Sequence, residues 1–229
     1  MITSIAMHKV SHSFFQRLRL LALLAMCLPM AAFGGAFDDF FSAARNDNAD
    51  EMSSLLRRGL DPNLVDEERG DPGLIIAARE GSMRVFNVLI NARNIDLNAK
   101  ARNGDNALMV AAFKGNRAAV ELLLAKGAEV NRPNWTALHY AAASGSNEIL
   151  QILLNKGADI NAASPNKTTP LMMAAGEGHI MAVKILLDSG ADLVRKNDLG
   201  MSALDFAQKS GHRDIAEGLT YRLKRAGKL

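Results

Sequence analysis

Three histidines beyond residue 36 are the side chains of this chain best suited to catalysis or metal binding: His139, His179 and His212. An imidazole titrates near neutral pH and is a common metal ligand. None of the three has a cysteine or a pair of carboxylates at metal-ligand spacing. The sequence also lacks a Gly-x-Ser-x-Gly, P-loop or dinucleotide-binding motif. We therefore predict no enzymatic activity, no metal site and no cofactor.

Four carboxylates recur at intervals of 33, 30 and 33 residues: Asp96, Glu129, Asp159 and Asp192. Calcium needs six to eight oxygen ligands around one ion. A single carboxylate in each interval cannot provide them, because the four side chains do not converge. We therefore expect these residues to form hydrogen bonds within turns and loops.

The basic residues do not indicate a nucleic-acid-binding protein. The net charge of +3 comes entirely from three basic residues in the first 36, a stretch without Asp or Glu: Lys9, Arg17 and Arg19. Residues 37–229 carry 24 basic and 24 acidic side chains, so no strongly charged partner is indicated. Four basic residues near the C-terminus are expected to form a solvated helix end, with contact to anionic lipid or nucleic acid as the alternative: Arg222, Lys224, Arg225 and Lys228.

These candidate residues lie within a repeated phrase. TALHYAA at residues 136–142 recurs as TPLMMAA at 169–175 and as NALMVAA at 106–112, with looser copies at 72–78 and 202–208. A glycine follows three residues after each copy's second alanine position, and the steps between these glycines are 34, 30, 33 and 33 residues. A period of about 33 residues predicts stacked helical pairs, each covering the apolar side of its neighbour.

The residue types within each repeat predict a polar finger, a short helix, a tight turn, a longer helix and a return loop. In the copy at 136–142, Thr136 is a predicted N-cap and Gly145 a predicted helix end with positive φ. The following helix carries an apolar stripe that we assign to Ile149, Ile152 and Leu153. Gly157 then turns the chain into the return loop.

These units resemble ankyrin repeats, and the resemblance covers about residues 37–219. It implies an all-α fold, an ankyrin-repeat solenoid of about six helix-turn-helix units with β-turn fingers. We place the units at residues 37–65 (an N-terminal cap), 66–99, 100–131, 132–162, 163–194 and 195–229 (a C-terminal cap). The resemblance also implies structural roles for His139, which lies in the repeated phrase, and for His179 and His212, which each follow the glycine between the helices. The fourth unit departs from the pattern because its finger has lost three residues.

Residues 1–36 are interpreted as a signal peptide, since a basic segment precedes 13 apolar residues at 20–32 and small residues end at Ala36. Met7 is an alternative start. Retention of residues 18–36 as an inner-membrane anchor is the main alternative to cleavage. Lipidation of Cys27, the only cysteine, is a further alternative. Lipoprotein signals have a small residue just before the cysteine, however, and Met26 is bulky. We expect the mature protein to be periplasmic.

In ankyrin arrays the finger tips and the ends of the first helices line a concave binding face. The resemblance therefore implies that this chain binds one or more proteins, as a monomer when free, without a nucleic-acid partner and without membrane contact after cleavage. The candidate binding residues are Trp135, Phe113, Arg102, Asp105, Lys114, Arg132, Asn134, Ser144, Glu177, Met201 and Lys209.

Trp135 and Phe113 are the strongest of these candidates, because aromatic residues near arginine are typical of binding hot spots. Trp135 could equally fill the space left by the shortened finger. The face also has an expected charge gradient, acidic in the second unit (Glu67, Glu68, Asp71) and more basic later (Arg132, Lys167, Arg195, Lys196).

The chain also resembles small exported bacterial ankyrin proteins, some of which support periplasmic enzymes such as catalases. This resemblance suggests that the function of the chain is to support a periplasmic enzyme. The alternative is a secreted effector that binds a host protein, with the same fold at a different location.

Overall fold

The computed structural model describes residues 30–228 of the chain. Twelve helices occupy this part, and we number them in chain order: α1 Met30–Arg45, α2 Ala49–Arg57, α3 Gly73–Glu80, α4 Met83–Ile90, α5 Ala107–Phe113, α6 Arg117–Ala125, α7 Ala137–Ser144, α8 Asn147–Asn155, α9 Pro170–Gly176, α10 Ile180–Asp188, α11 Ala203–Lys209 and α12 Arg213–Arg225. Within these residues there is no β-strand, only an isolated antiparallel bridge between Val65 and Pro72. The predicted all-α class is confirmed.

The chain divides into two compact units between Asp39 and Phe40. The predicted cleavage site after Ala36 lies within α1. Most of the predicted signal peptide, with Met7 and Cys27, lies outside the described residues, so its interpretation stays a prediction.

Each predicted repeat contains one consecutive pair of helices, from α2 and the part of α1 after residue 36 in residues 37–65 to α11 and α12 in residues 195–229. The first helices α3, α5, α7, α9 and α11 pack in sequence, and so do the second helices from α2 to α12. Paired alanines make the first helices thin. Ala111 and Ala112 are fully buried, as are Ala141 and Ala142, so neighbouring units can approach closely.

The second helices bury an apolar stripe that differs by one position from the prediction. In α8, Ile149, Leu150 and Leu153 are buried, whereas Ile152 is only half-buried. At 100° per residue, positions i, i+1 and i+4 form one continuous face, and Ile152 lies at its edge. The inward stripe therefore includes Leu150 in place of Ile152.

The predicted helix starts and ends are present. Thr136 caps α7, with its hydroxyl 2.9 Å from Nδ1 of His139. Gly145 ends the helix at φ 66°, in the left-handed region that glycine adopts without steric cost. A Cβ at Gly145 would also lie 2.5 Å from Nδ1 of His179 in the next unit. Two constraints therefore require glycine at this position: the backbone angle and the neighbouring imidazole ring.

The fingers are tight hydrogen-bonded turns, except in the fourth unit. The N–H groups of Ala101, Ser164 and Asn197 each donate to a carbonyl four residues later, at 2.8–3.0 Å. The shortened finger of the fourth unit turns instead through Asn134, which has φ 72°. Asparagine tolerates this left-handed conformation better than most residues.

The return loops are joined by a ladder of asparagine side chains, which the sequence reasoning missed. The Oδ1 atom of one asparagine accepts the backbone N–H of a residue in the next loop, at 2.7–3.0 Å. The four steps are Asn63 to Asp96, Asn98 to Glu129, Asn131 to Asp159, and Asn161 to Asp192. The recurrence of asparagine after each Gly-Ala-Asp-like segment was the signal that could have revealed the ladder.

Candidate functional site

His139 is a buried structural residue. Its Nε2–H donates to the carbonyl of Thr168 in the next finger at 3.0 Å, and its Nδ1 accepts from the backbone N–H of Thr136 at 3.2 Å. Burial lowers the pKa of His139 to about 4, although its hydrogen bond to the Thr168 carbonyl acts in the opposite direction. The ring is therefore neutral at pH 7 and holds two repeats together.

His179 and His212 repeat a second structural contact. Nε2–H of His179 donates to the carbonyl of Ala143 at 2.9 Å, and Nε2–H of His212 donates to the carbonyl of Gly176 at 3.1 Å. Each ring thus reaches back 36 residues to the end of the preceding first helix. Within residues 30–228, no three histidines, cysteines or acidic residues are grouped as a metal site would require.

Three of the four recurring carboxylates form the expected turns. Asp96, Asp159 and Asp192 each accept the backbone N–H two residues later, at 2.9–3.0 Å. Glu129 contributes only its backbone N–H to the asparagine ladder. A glutamate side chain is one methylene longer than aspartate, which disfavours this short local bond.

We use the name recognition face for the surface formed by the fingers and by the C-terminal ends of α3, α5, α7, α9 and α11. An aromatic cavity of about 190 Å³ lies on this face between the third and fifth units, lined by Phe113, Trp135, His139, Tyr140, Ala143 and Met173. The two strongest candidates from the sequence, Trp135 and Phe113, line this one cavity.

Edge-to-face contacts organise the aromatic cavity. The rings of Phe113 and Tyr140 are 6.1 Å apart at 80°, and those of Trp135 and His139 are 5.2 Å apart at 76°. The Tyr140 hydroxyl donates to Asp105, and burial together with this bond raises the pKa of Tyr140. Trp135 is half-buried, while Phe113 is 52% exposed. The cavity is therefore held open by packed rings and has an exposed aromatic side chain in its wall.

A larger groove of about 500 Å³ continues from Trp135 along the fifth and sixth units. Three of the other predicted residues, Glu177, Met201 and Lys209, line this groove. Sequence reasoning did not assign Tyr140, Met173 and Phe206 to the face. All three occupy the fifth place of the repeated phrase and are half-buried.

The fifth place of the phrase distinguishes the two halves of the face. In the second and third units it holds Ile76 and Val110, which are buried. In the fourth, fifth and sixth units it holds Tyr140, Met173 and Phe206, which are half-buried and line the open cavities. The change from β-branched residues to tyrosine, methionine and phenylalanine at this place was visible in the sequence.

The N-terminal half of the face is charged. Arg79 pairs with the buried carboxylate of Asp71, and Arg45 lies 3.4 Å from Asp66. Burial alone would raise the pKa of Asp66, but backbone N–H groups and Arg45 lower it below its ordinary value. Asp66 is therefore ionised at neutral pH, and the two buried carboxylates of this half, Asp66 and Asp71, are both paired with arginines.

Two residues of the expected charge gradient need correction. Asp71 is only 3% exposed and is paired with Arg79, so it offers no free negative charge. Lys167 lies 2.6 Å from Asp198 of the next finger, which offsets its positive charge. Local ion pairs form because neighbouring fingers place opposite charges side by side, and sequence order alone does not reveal them.

Several predicted binding residues have internal partners. Arg102 donates to the carbonyls of Glu68 and Glu67 at 3.1 and 3.2 Å, and Arg132 donates to the carbonyl of Gly104 at 2.9 Å. Ser144 lies 2.8 Å from the hydroxyl of Ser146. In contrast, four predicted residues are exposed and have no side-chain partner among residues 30–228: Lys114, Asn134, Glu177 and Lys209.

Within residues 30–228, no helix is both long and apolar enough to cross a membrane.

The family described as "Ankyrin repeats (3 copies)" matches this chain at residues 40–134, 74–164 and 138–225. Among similar curated proteins, the human transient receptor potential cation channel subfamily A member 1 is 34% identical over 92 residues, 40% of this chain and 8% of that protein. Alpha-latrocrustotoxin-Lt1a of Latrodectus tredecimguttatus is 34% identical over 90 residues, 39% of this chain and 6% of the toxin. The rat nuclear factor NF-kappa-B p105 subunit is 36% identical over 84 residues, 36% of this chain and 8% of the subunit.

The aligned stretches thus span less than a tenth of each of these three relatives, and their individual activities do not transfer to this chain. Ankyrin repeats generally mediate protein–protein interaction and are typically not enzymes. The helical pairs, the capped first helices and matches that extend from residue 40 to residue 225 lead to one conclusion: this chain belongs to the ankyrin repeat family.

Proposed function

We propose that this chain binds a partner protein through its recognition face, with Phe113 and Trp135 as the principal contacts, and that it catalyses no reaction itself. The observation that carries this proposal is the open aromatic cavity. Exposing a large aromatic side chain to water is unfavourable, and Phe113 remains 52% exposed although its ring contacts Tyr140. Aromatic residues in a preformed cavity are the typical anchors of protein interfaces.

The surroundings of the cavity favour a rigid binding surface. The first helices beneath it are fixed by buried alanines and by His139, which joins two units. Trp135 packs against the His139 ring while also lining both the aromatic cavity and the adjacent groove. Packing and binding are therefore compatible roles for Trp135, since a preorganised side chain loses little entropy when a partner covers it.

The test is a comparison of Phe113→Ala and the Phe113→Ala/Trp135→Ala double variant with a control. The control is Ile180→Ala/Met181→Ala, which truncates two side chains that are 53% and 54% exposed on α10, away from the recognition face. Each chain is used as bait against the exported fraction of its source cells, and captured proteins are identified by mass spectrometry. Melting curves report the fold.

We expect the double variant to lose the captured partner, with each hot spot contributing about 2 kcal/mol or more, while the control retains it. Phe113→Ala alone should weaken capture without moving the melting transition, because its ring is half-exposed. Capture that survives the double variant, or that is lost only in the control, would refute the proposal.

We further propose that the chain is exported, acts in the periplasm and supports an enzyme there. The support for export is the basic and apolar pattern of residues 1–36, and the support for the role is the resemblance to small exported bacterial ankyrin proteins. Intact-mass measurement of the protein from spheroplast, periplasmic and culture fractions tests the location. A periplasmic species that begins at Phe37 is expected. A membrane-bound full-length chain would support the anchored alternative, and a species in the medium would support the effector alternative.

A further inference from the structure

A second cavity on the recognition face contains positive charge that no carboxylate neutralises. We call it the arginine pocket; it is about 460 Å³ and is lined by Arg69, Asp71, Arg79, Arg102 and Asn103. It lies at the fingers of the second and third units, on the N-terminal side of the aromatic cavity. Asp71 is its only acidic residue, and Arg79 is paired with it.

The other two guanidinium groups have no acidic partner among residues 30–228. Arg102 donates to the backbone carbonyls of Glu67 and Glu68, which carry no net charge. The exposed side chain of Arg69 has neither a hydrogen bond nor an ion pair with any described residue, although its backbone N–H donates to Asp66. The arginine pocket therefore keeps two positive charges.

The neighbouring cavity towards the first unit differs. It shares Arg69, Arg79 and Asp71 with the arginine pocket and adds Arg45 together with three acidic residues, Asp66, Glu68 and Glu80. The arginine pocket has Arg102 in place of these carboxylates, so three arginines and one acidic residue line it. A guanidinium group matches a carboxylate through two parallel N–H···O bonds, stronger than bonds between neutral groups.

We infer that the partner is a peptide segment which places an Asp or Glu carboxylate in the arginine pocket and an aromatic or aliphatic side chain in the aromatic cavity. This inference rests on the proposed function and specifies the chemistry of the partner. Charge complementarity selects the carboxylate, and the rings of Phe113, Trp135 and Tyr140 select the apolar anchor. Nucleic acid is the less suitable ligand, because residues 37–229 carry no net positive charge.

The spacing of the two anchors follows from the stacking of the units. Arg69 lies in the second unit and Trp135 in the fourth, two steps apart along the first helices. Packed helices are about 8–10 Å apart, so the two anchor sites are separated by roughly 16–20 Å. An extended peptide advances about 3.3 Å per residue. The carboxylate and the apolar anchor are therefore expected about five or six residues apart.

The probe is a phage-displayed library of random dodecapeptides, selected on the folded chain at physiological salt. The chains compared are the wild type, Arg69→Gln and Phe113→Ala/Trp135→Ala. Arg84→Gln is the matched control, because Arg84 is an exposed arginine of the same unit but lies on α4, outside the recognition face. Enriched peptides are synthesised, and their Kd values are measured against all four chains.

We expect wild-type selections to enrich peptides with an acidic residue five or six positions from an aromatic or aliphatic one. Arg69→Gln should raise the Kd of such a peptide about tenfold or more and should remove the acidic preference in a new selection. Arg84→Gln should leave the Kd unchanged. The aromatic double variant should abolish binding.

Two results would overturn the inference while leaving the proposed function intact. One is a set of enriched peptides that need Phe113 and Trp135 but show no acidic preference. The other is an acidic preference that persists in Arg69→Gln. If single-stranded nucleic acid binds the wild type and is lost in Arg69→Gln, the pocket recognises phosphate and the inference is wrong. If no peptide depends on the recognition face, both the inference and the proposed function fail.

Discussion

The two halves of the repeat stack differ in one class of contact between units. In the first three units, charged side chains make contacts between repeats: Asp47 accepts the backbone N–H of Val85 at 2.9 Å, and Arg102 crosses to the carbonyls of the preceding finger. In the last three units, histidine rings add contacts through single N–H donors, beside charged contacts such as the ion pair of Lys167 with Asp198. The same helical frame thus tolerates two kinds of connection.

This difference has a consequence for the recognition face. Where arginines and carboxylates connect the units, the cavities between fingers are polar, as at Arg69 and Arg79. Where histidines also connect them, aromatic residues such as Trp135 and Tyr140 line one cavity, and the adjoining groove includes the charged residues Glu177 and Lys209. The aromatic cavity and the arginine-lined cavities thus lie at different positions along the same face.

The strongest test of the comparison is pH. A folded pKa of about 4 for His139, below the ordinary value of about 6.5, means that the unfolded chain binds an additional proton between these two pH values. The free energy of unfolding should therefore fall as pH drops from 6.5 to 4, by about 3 kcal/mol in total, and His139 should have no further effect below pH 4. Urea unfolding at pH 7, 5 and 4 measures this loss.

His139→Met is the matched variant, because methionine occupies the equivalent place at Met109 and Met172. It removes the titrating ring, so its stability should depend less steeply on pH between 7 and 4. Equal slopes for the two proteins would mean that His139 is not the acid-sensitive connector of the C-terminal half.

The contact between Gly145 and His179 gives the next largest effect. Gly145→Ala forces a Cβ to within 2.5 Å of the imidazole, at φ 66°. We expect a loss of about 2.5 kcal/mol of stability from the left-handed strain and the displaced hydrogen bond. Gly211→Ala is the control, since Gly211 has φ 79° but no atom within 4 Å of an added Cβ. The control should lose only about 1 kcal/mol; equal losses would exclude a role for the histidine.

Removal of a charged connector tests the N-terminal half. Arg79→Met leaves the buried Asp71 carboxylate without its partner. Because Arg79 is 23% exposed, we expect a cost of about 2 kcal/mol, between the values for surface and fully buried pairs. Arg117→Met breaks the exposed pairs with Glu121 and Glu148 and should leave the melting temperature unchanged. If both variants melt like the wild type, charge does not stabilise this half.

The asparagine ladder provides the smallest effect and a contrast, because it is the same in both halves. Asn98 accepts the N–H of Glu129 at 3.0 Å, and Asn161 accepts that of Asp192 at 2.8 Å. Asn98→Ala and Asn161→Ala should each cost about 1 kcal/mol, measured by urea unfolding at pH 7. Clearly unequal losses would show that the two halves differ in their return loops as well as in their connectors.

The sequence alone determined the repeat and its local geometry. A period of about 33 residues gave six units, and Thr136, Gly145 and the paired alanines gave the helix starts, ends and close approach. These features were predictable because caps, left-handed glycines and apolar periodicity depend on residues a few positions apart. The structural role of His139 followed from its place in the repeated phrase.

Only the tertiary structure decided how residues about 30 positions apart meet. It placed Phe113, Trp135 and Tyr140 around one cavity, enclosed Asp71 with Arg79 and left Arg69 without an acidic partner. Packing against the neighbouring helices likewise decided that Leu150, and not Ile152, belongs to the buried stripe of α8. The physical reason is that burial and charge pairing depend on which side chains adjoin in space, and in a stacked repeat the neighbours of a residue belong to the units on either side.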